Sequence, residues 1–193
     1  GDKEIPYMGL EKDENPFLGY RAIRLCLDRK EDIYKPQLRA LLRASAYGNI
    51  RIMIPLVTCI DELREAKALI EEIKAELDEK NIAYKKDIQV GIMVETAAAS
   101  LIADIFAKEA DFFSIGTNDL TQYTMSVDRG NKKVSYLYST FNPAVLRSIR
   151  HIIACGREAG IMVGMCGEAA SDPMMIPLLL AFGLNEFSMS ASA

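Results

Sequence analysis

Short apolar runs, each closed by a breaker, alternate along this chain with longer stretches of helical period. Five runs are too short for helices and read as strands: residues 50–55, 88–94, 112–115, 161–165 and 186–189. Near-continuous apolarity, without in-and-out alternation, predicts a parallel sheet covered on both faces. Between the first two, residues 60–79 put Leu63, Ala66, Ile70, Ile73 and Leu77 on one stripe, with acids and lysines opposite. Thr58 is the expected N-cap of that helix, with Asp61 three residues on as its capping-box partner. Asn142 followed by Pro143 predicts another helix start, running to about Ala159 with Gly160 as its stop. Residues 35–46 and 97–108 read as further helices.

Repeated strand–helix alternation with no break in composition predicts one α/β domain over residues 1–193. Five strands are fewer than the eight of a TIM-type (β/α)8 barrel, so an incomplete barrel with about the last five strands is expected. An open doubly wound sheet competes with it. The lack of a glycine-rich phosphate loop after the first strand weakens that alternative. Gly1, in place of a methionine, puts the natural start upstream.

Composition narrows the partners. The 193 residues are 50% hydrophobic and 26% charged, with a net charge of −4, so no global field recruits nucleic acid or an anionic membrane. No apolar run approaches the ~20 residues that span a bilayer. The four cysteines (Cys26, Cys59, Cys155, Cys166) lack CxxC spacing, which predicts reduced thiols and a cytoplasmic setting. Cys26, Cys59 and Cys155 read as small buried hydrophobes. With a single histidine, His151, on a helix and facing no evident partner, a structural zinc site is not expected.

In parallel α/β folds ligands gather beyond the carboxyl ends of the strands. Glu95 follows the second run, Asn118 and Asp119 the third, and Cys166 closes the fourth. Glu95 and Asp119 suit a hard divalent cation such as Mg2+, which takes one or two carboxylates and completes its shell with water and phosphate oxygens. The residues alone leave open that each carboxylate merely caps the helix after it. They also leave open whether Cys166 is a reactive thiol or packing. Arg21, Arg24 and Arg129 are candidates for a bidentate clamp on phosphate or carboxylate, against the plainer reading of solvated surface arginines.

Four strings go further. GTNDLTQYTMSVDRGN (116–131), ENPFLGYRAIR (14–24), GIMVET (91–96) and GMCGE (164–168) resemble signatures of the phosphoenolpyruvate-utilising enzymes, in family order and across nearly the whole chain. The VDRGN ending, LDR at 27–29 and EFSMSA at 186–191 resemble the enzyme I family of the bacterial sugar phosphotransferase system. They fit it better than pyruvate phosphate dikinase, phosphoenolpyruvate synthase or the nitrogen-regulatory paralogue. The resemblance implies Mg2+ on Glu95 and Asp119, substrate contacts from Arg21, Asn118, Asp119 and Arg129, and a proton-donating thiol at Cys166. It also implies phosphoenolpyruvate and pyruvate as substrate and product, and a phosphohistidine domain that feeds a histidine-containing phosphocarrier protein. A homodimer formed through this domain is implied as well.

The departures are specific. The resemblance puts the start of the chain just after the barrel's third strand. The first three strands, which carry two further substrate arginines, and the phosphohistidine domain are therefore expected to lie outside it, and His151 does not match that domain's histidine. Two open sheet edges are therefore expected, and such edges invite association. Ala97 stands where proline is usual. A non-catalytic regulatory relative is the remaining alternative.

Overall fold

A computed structural model describes residue 11 and residues 13–191. Strands β1 (Ile52–Ile54), β2 (Val90–Val94), β3 (Phe112–Gly116), β4 (Met162–Cys166) and β5 (Glu186–Phe187) form one sheet in strictly consecutive order. Every neighbouring pair is parallel. A consecutive order has no point of reversal, which sets aside the doubly wound alternative. Each strand lies within the apolar run that predicted it or one residue beyond.

Eight α-helices accompany the strands among the described residues: α1 (Ile23–Asp28), α2 (Lys35–Ala44), α3 (Ile60–Glu79), α4 (Ala97–Leu101), α5 (Ala103–Phe106), α6 (Thr117–Met125), α7 (Pro143–Glu158) and α8 (Ile176–Phe182). In α3 the expected stripe is buried, joined by Leu69. Its cap lies one residue later than Thr58. Cys59 is the N-cap, and the Glu62 carboxylate accepts from the backbone N–H groups of Thr58 (2.6 Å) and Cys59 (3.1 Å). Asp61 faces Arg64 instead. The segment 97–108 is two short helices, parted where Ile102 leaves helical geometry at φ −110° and ψ 28°. Asn142 caps α7 through its side chain, and Gly160, at φ +72°, ends the helical course in the left-handed conformation. Helices α1, α6 and α8 are additions to the sequence-based expectation.

Register sorts the sheet side chains onto two faces. Ile52 lies opposite Val90, Ile92 opposite Phe113, and Phe113 opposite Val163. With Ile54, Val94, Ile115 and Met165, these residues form the core beneath the helices. The other face carries Arg51, Met53, Met93, Ser114, Met162, Cys166 and Glu186, all partly or fully exposed. Among the described residues only one face is therefore covered, contrary to the expectation of two. The open face is lined largely by methionine, glycine and Phe112, which is why the runs read as apolar throughout. Its glycines make room for their neighbours. A Cβ on Gly91 would lie 2.6 Å from the Phe112 ring, and one on Gly116 2.7 Å from Glu95 Oε2.

All four cysteines are free thiols. Cys155 is buried as expected, but Cys59 is exposed because it caps α3 from outside the core. His151 is exposed, with the Cys155 sulfur one helical turn away at 3.6 Å. No described helix is long and apolar enough to cross a membrane.

Candidate functional site

The carboxyl ends of β2, β3 and β4 bring Glu95, Asn118, Asp119 and Cys166 to one rim, as topology predicted. Glu95 leaves β2 with 5% of its surface exposed. Its Oε1 accepts the Leu56 backbone N–H at 2.7 Å, and Leu56 sits at φ +59° to deliver it. A buried leucine in the left-handed region is strained, and such strain tends to accompany sites where one group must be aimed. Burial, reinforced by the negative charge of Asp119, pushes the Glu95 carboxyl up to about 7.

Neither carboxylate caps a helix. Thr96 caps α4, its hydroxyl accepting from Ala99 N at 3.0 Å. The α6 cap is Gly116, which offers no side chain, and Asp119 sits in the first turn. The Asp119 side chain is 12% exposed, with Arg21 Nη2 3.6 Å from Oδ2 and Arg129 Nη2 3.9 Å from Oδ1. Both contacts are ion pairs longer than hydrogen bonds. Oδ1 is buried and has no hydrogen-bond partner. A buried carboxylate oxygen without a partner is costly unless something occupies it.

Asn118 and the turn after β4 fit together. Asn118 Oδ1 accepts the Glu168 N–H at 3.2 Å, and the Thr117 hydroxyl donates to the Cys166 carbonyl at 3.1 Å. Gly167 lies between them at φ +95°, where a Cβ would come within 2.4 Å of Thr117 Oγ1. Cys166 is half-buried, and its Sγ accepts from the Ser114 hydroxyl at 3.6 Å. Burial raises the thiol pKa despite that hydrogen bond, so the sulfur stays protonated at neutral pH.

Arg24 does not belong to the site. Its Nη1 donates to the carbonyls of Leu18 (2.6 Å) and Gly19 (3.2 Å), fixing the loop before α1. The structure adds residues that sequence reasoning passed over. Tyr123 OH accepts from Arg21 Nη1 at 3.2 Å and donates to the Phe17 carbonyl. Gln122 Oε1 accepts the Arg129 N–H at 3.0 Å, and Tyr138 OH donates to the Asn118 carbonyl at 3.1 Å. All three are polar groups on or beside α6, within the 116–131 string or just past it. Proximity to that string was the only available signal.

The site thus offers two hard carboxylates, two guanidiniums, an amide and a protonated thiol. No group of three histidine, cysteine, aspartate or glutamate side chains gathers to hold a metal among the described residues. Two carboxylates can still hold Mg2+, which keeps several waters and takes the rest of its shell from a substrate. The buried Asp119 Oδ1 beside Glu95, which accepts no hydrogen bond and has only the long ion pair to Arg129, fits that role.

A parallel α/β sheet with cations and acids gathered on its carboxyl rim belongs to the class of α/β folds that place their ligand sites there. The particular family follows from comparison: a model described as the PEP-binding domain of PEP-utilising enzymes matches residues 1–193, and the chain belongs to that family. It is 56% identical to the phosphoenolpyruvate-protein phosphotransferase of Priestia megaterium, with 100% of this chain and 34% of that protein aligned. With the protein of that name from Bacillus subtilis (strain 168) identity is 58%, again over 100% of this chain and 34% of the relative. The chain therefore spans about a third of the length of the curated relatives it matches. Among solved structures, an HpcH/HpaI aldolase/citrate lyase family protein from Burkholderia cenocepacia aligns with a TM-score of 0.59 and 17% identity, covering 82% of this chain and 63% of that one. A citrate lyase from Burkholderia xenovorans aligns with a TM-score of 0.55 and 19% identity, covering 84% and 56%. At such identities the likeness is one of fold alone.

Proposed function

We propose that this chain binds phosphoenolpyruvate with Mg2+ and supports transfer of the phosphoryl group to a histidine on a partner domain. Pyruvate is released, in the first step of sugar uptake by a phosphotransferase system. The observation that carries the reading is the convergence of Arg21 and Arg129 on the partly buried Asp119 carboxylate, on the rim that also bears Glu95 and Cys166. The shared name of the relatives supports this activity over the dikinase, the synthase and a non-catalytic relative.

Glu95 and Asp119 would hold Mg2+, which when bound supplies positive charge against the phosphoryl and enolate oxygens. Arg21 and Arg129 neutralise the phosphate and carboxylate of the substrate. Their long ion pairs to Asp119 keep both guanidiniums ordered yet cheap to redirect. Asn118 spends its carbonyl on Glu168 N, which reserves its amide N–H groups for the substrate. As the histidine nitrogen attacks phosphorus, the bridging P–O bond breaks and its electron pair leaves with the enolate. The protonated Cys166 thiol then donates its proton to C3, forming pyruvate. The resulting thiolate recovers a proton from solvent.

The five consecutive parallel strands are read as part of a TIM-type barrel whose further strands cover the open face. The aldolase and citrate lyase folds support that reading. A cytoplasmic homodimer passing phosphate to a histidine-containing phosphocarrier protein completes the proposal.

Glu95→Gln tests the cation. Mn2+ substituted for Mg2+ should enhance water-proton relaxation in the native protein and not in the variant. Glutamine keeps the acceptor for Leu56 N, so the fold should survive. Without a cation the variant should be the more stable one at pH 8. The native carboxyl titrates near 7 when folded, above its ordinary 4.5, so stability falls as pH rises through that window. The gain is up to roughly 3 kcal/mol. Unchanged Mn2+ binding in the variant would remove Glu95 from the cation site.

A further inference from the structure

We infer that Phe17 is a positioning residue that holds Arg21 and Arg129 together as one anion clamp, an inference that rests on the phosphoenolpyruvate-binding reading. The Arg21 guanidinium carbon lies 5.7 Å from the centre of the Phe17 ring, and that of Arg129 lies 6.0 Å from it. Both distances fall within the range over which a cation is drawn to the negative face of an aromatic ring. One ring therefore serves both guanidiniums that converge on Asp119.

The physical need for it is plain. Two like charges directed at one small carboxylate repel each other, and the carboxylate is the group they must leave when substrate arrives. A ring attracts both without competing for the hydrogen bonds they need to grip an anion. A hydrogen bond holds the backbone that carries the ring. Tyr123 OH donates to the Phe17 carbonyl while accepting from Arg21 Nη1 at 3.2 Å. Gln122 Oε1 holds the Arg129 backbone N–H at 3.0 Å, so the loop bearing Arg129 is tied to the same turn of α6. Phe17 thus joins residues more than a hundred positions apart in sequence, Arg21 just before α1 and Arg129 just after α6.

The test separates ring electrons from bulk. Phe17→Leu keeps an apolar side chain without a π face. Phe17→Trp restores a stronger face, with a neighbouring cavity of about 350 Å3, lined in part by Phe17 and Tyr123, giving it room. In the protein at its full natural length, Phe17→Leu should weaken phosphoenolpyruvate binding by about 5- to 30-fold, with Phe17→Trp near native affinity. Mn2+ affinity measured without phosphoenolpyruvate should be the same in all three proteins. In NMR spectra without ligand, the ring-shifted Arg21 and Arg129 side-chain protons should move toward solvent-exposed values in the leucine variant only. Native affinity in Phe17→Leu, or equal loss in both variants, would overturn the inference. So would a fall in Mn2+ affinity that matched the loss of substrate affinity, since that marks a general structural effect. If the native protein bound no phosphoenolpyruvate, the parent reading would fall. The proton shifts would still report whether the ring holds the arginines.

Discussion

Asp119→Asn is expected to weaken Mg2+-dependent phosphoenolpyruvate binding by about 100-fold or more. The substitution is nearly isosteric, so packing around α6 should hold. What it removes is one of two carboxylates available to the cation, and the common anchor of Arg21 and Arg129 at 3.6 and 3.9 Å. Two effects of opposite sign then separate by condition. With Mg2+ present, the lost ligand charge dominates and affinity falls. With the cation chelated, the same change leaves two guanidiniums uncompensated, and weak binding of the anionic substrate should rise. Calorimetry under both conditions reads both signs. Equal affinity of native and variant proteins with Mg2+ would take Asp119 out of the cation site.

Cys166→Ala is expected to slow pyruvate formation by about 10²- to 10⁴-fold, the range typical of a lost general acid. Phosphoenolpyruvate affinity should stay within about threefold, because the thiol meets C3 of the enolate rather than the charged ends of the substrate. The sulfur suits an acid better than a nucleophile. Burial raises its pKa, and the Ser114 hydroxyl at 3.6 Å fixes where it sits. Single-turnover formation of pyruvate by the natural full-length protein, followed beside substrate binding, separates the two effects. Normal turnover in the alanine variant would end the proton-transfer role.

Much of this arrangement is legible in the amino-acid sequence. Apolar runs bounded by breakers gave all five strands. The carboxyl-end rule then put Glu95, Asn118, Asp119 and Cys166 on one rim. Elements without a two-sided pattern escaped. Residues 176–182 are so uniformly apolar that α8 shows no polar face, and α6 opens with three polar residues, Thr117, Asn118 and Asp119, directly after β3. The α3 cap lies one residue past Thr58: Cys59, extended at φ −137° and ψ 160°, is the last residue before the helix, and Glu62 accepts from the N–H groups of both.

Within the site, charge was easier to foresee than position. Arg21 and Arg24 look equivalent in the string 14–24. Yet Arg24, inside α1, turns back onto the carbonyls of Leu18 and Gly19, while Arg21, set off from the helix by the non-helical Ala22, meets Asp119. Phe17, Tyr123, Gln122 and Ser114 act through contacts across the fold, and no local spacing encodes such contacts. The covered-face expectation failed for a related reason. Methionine and glycine on the open face have the apolarity of core residues, and sequence does not say which face a neighbour covers.

The most direct test of the phosphoenolpyruvate–cation site is a calorimetric titration of residues 1–193 with phosphoenolpyruvate, in Mg2+ and again in chelator. Saturable binding that requires Mg2+ is the expected result, and it would mean that Glu95, Asp119, Arg21 and Arg129 suffice for the site. Heat of the same size with and without Mg2+ would contradict the carboxylate pair as a cation site. No heat in either condition, repeated with the natural full-length protein, would contradict phosphoenolpyruvate binding itself.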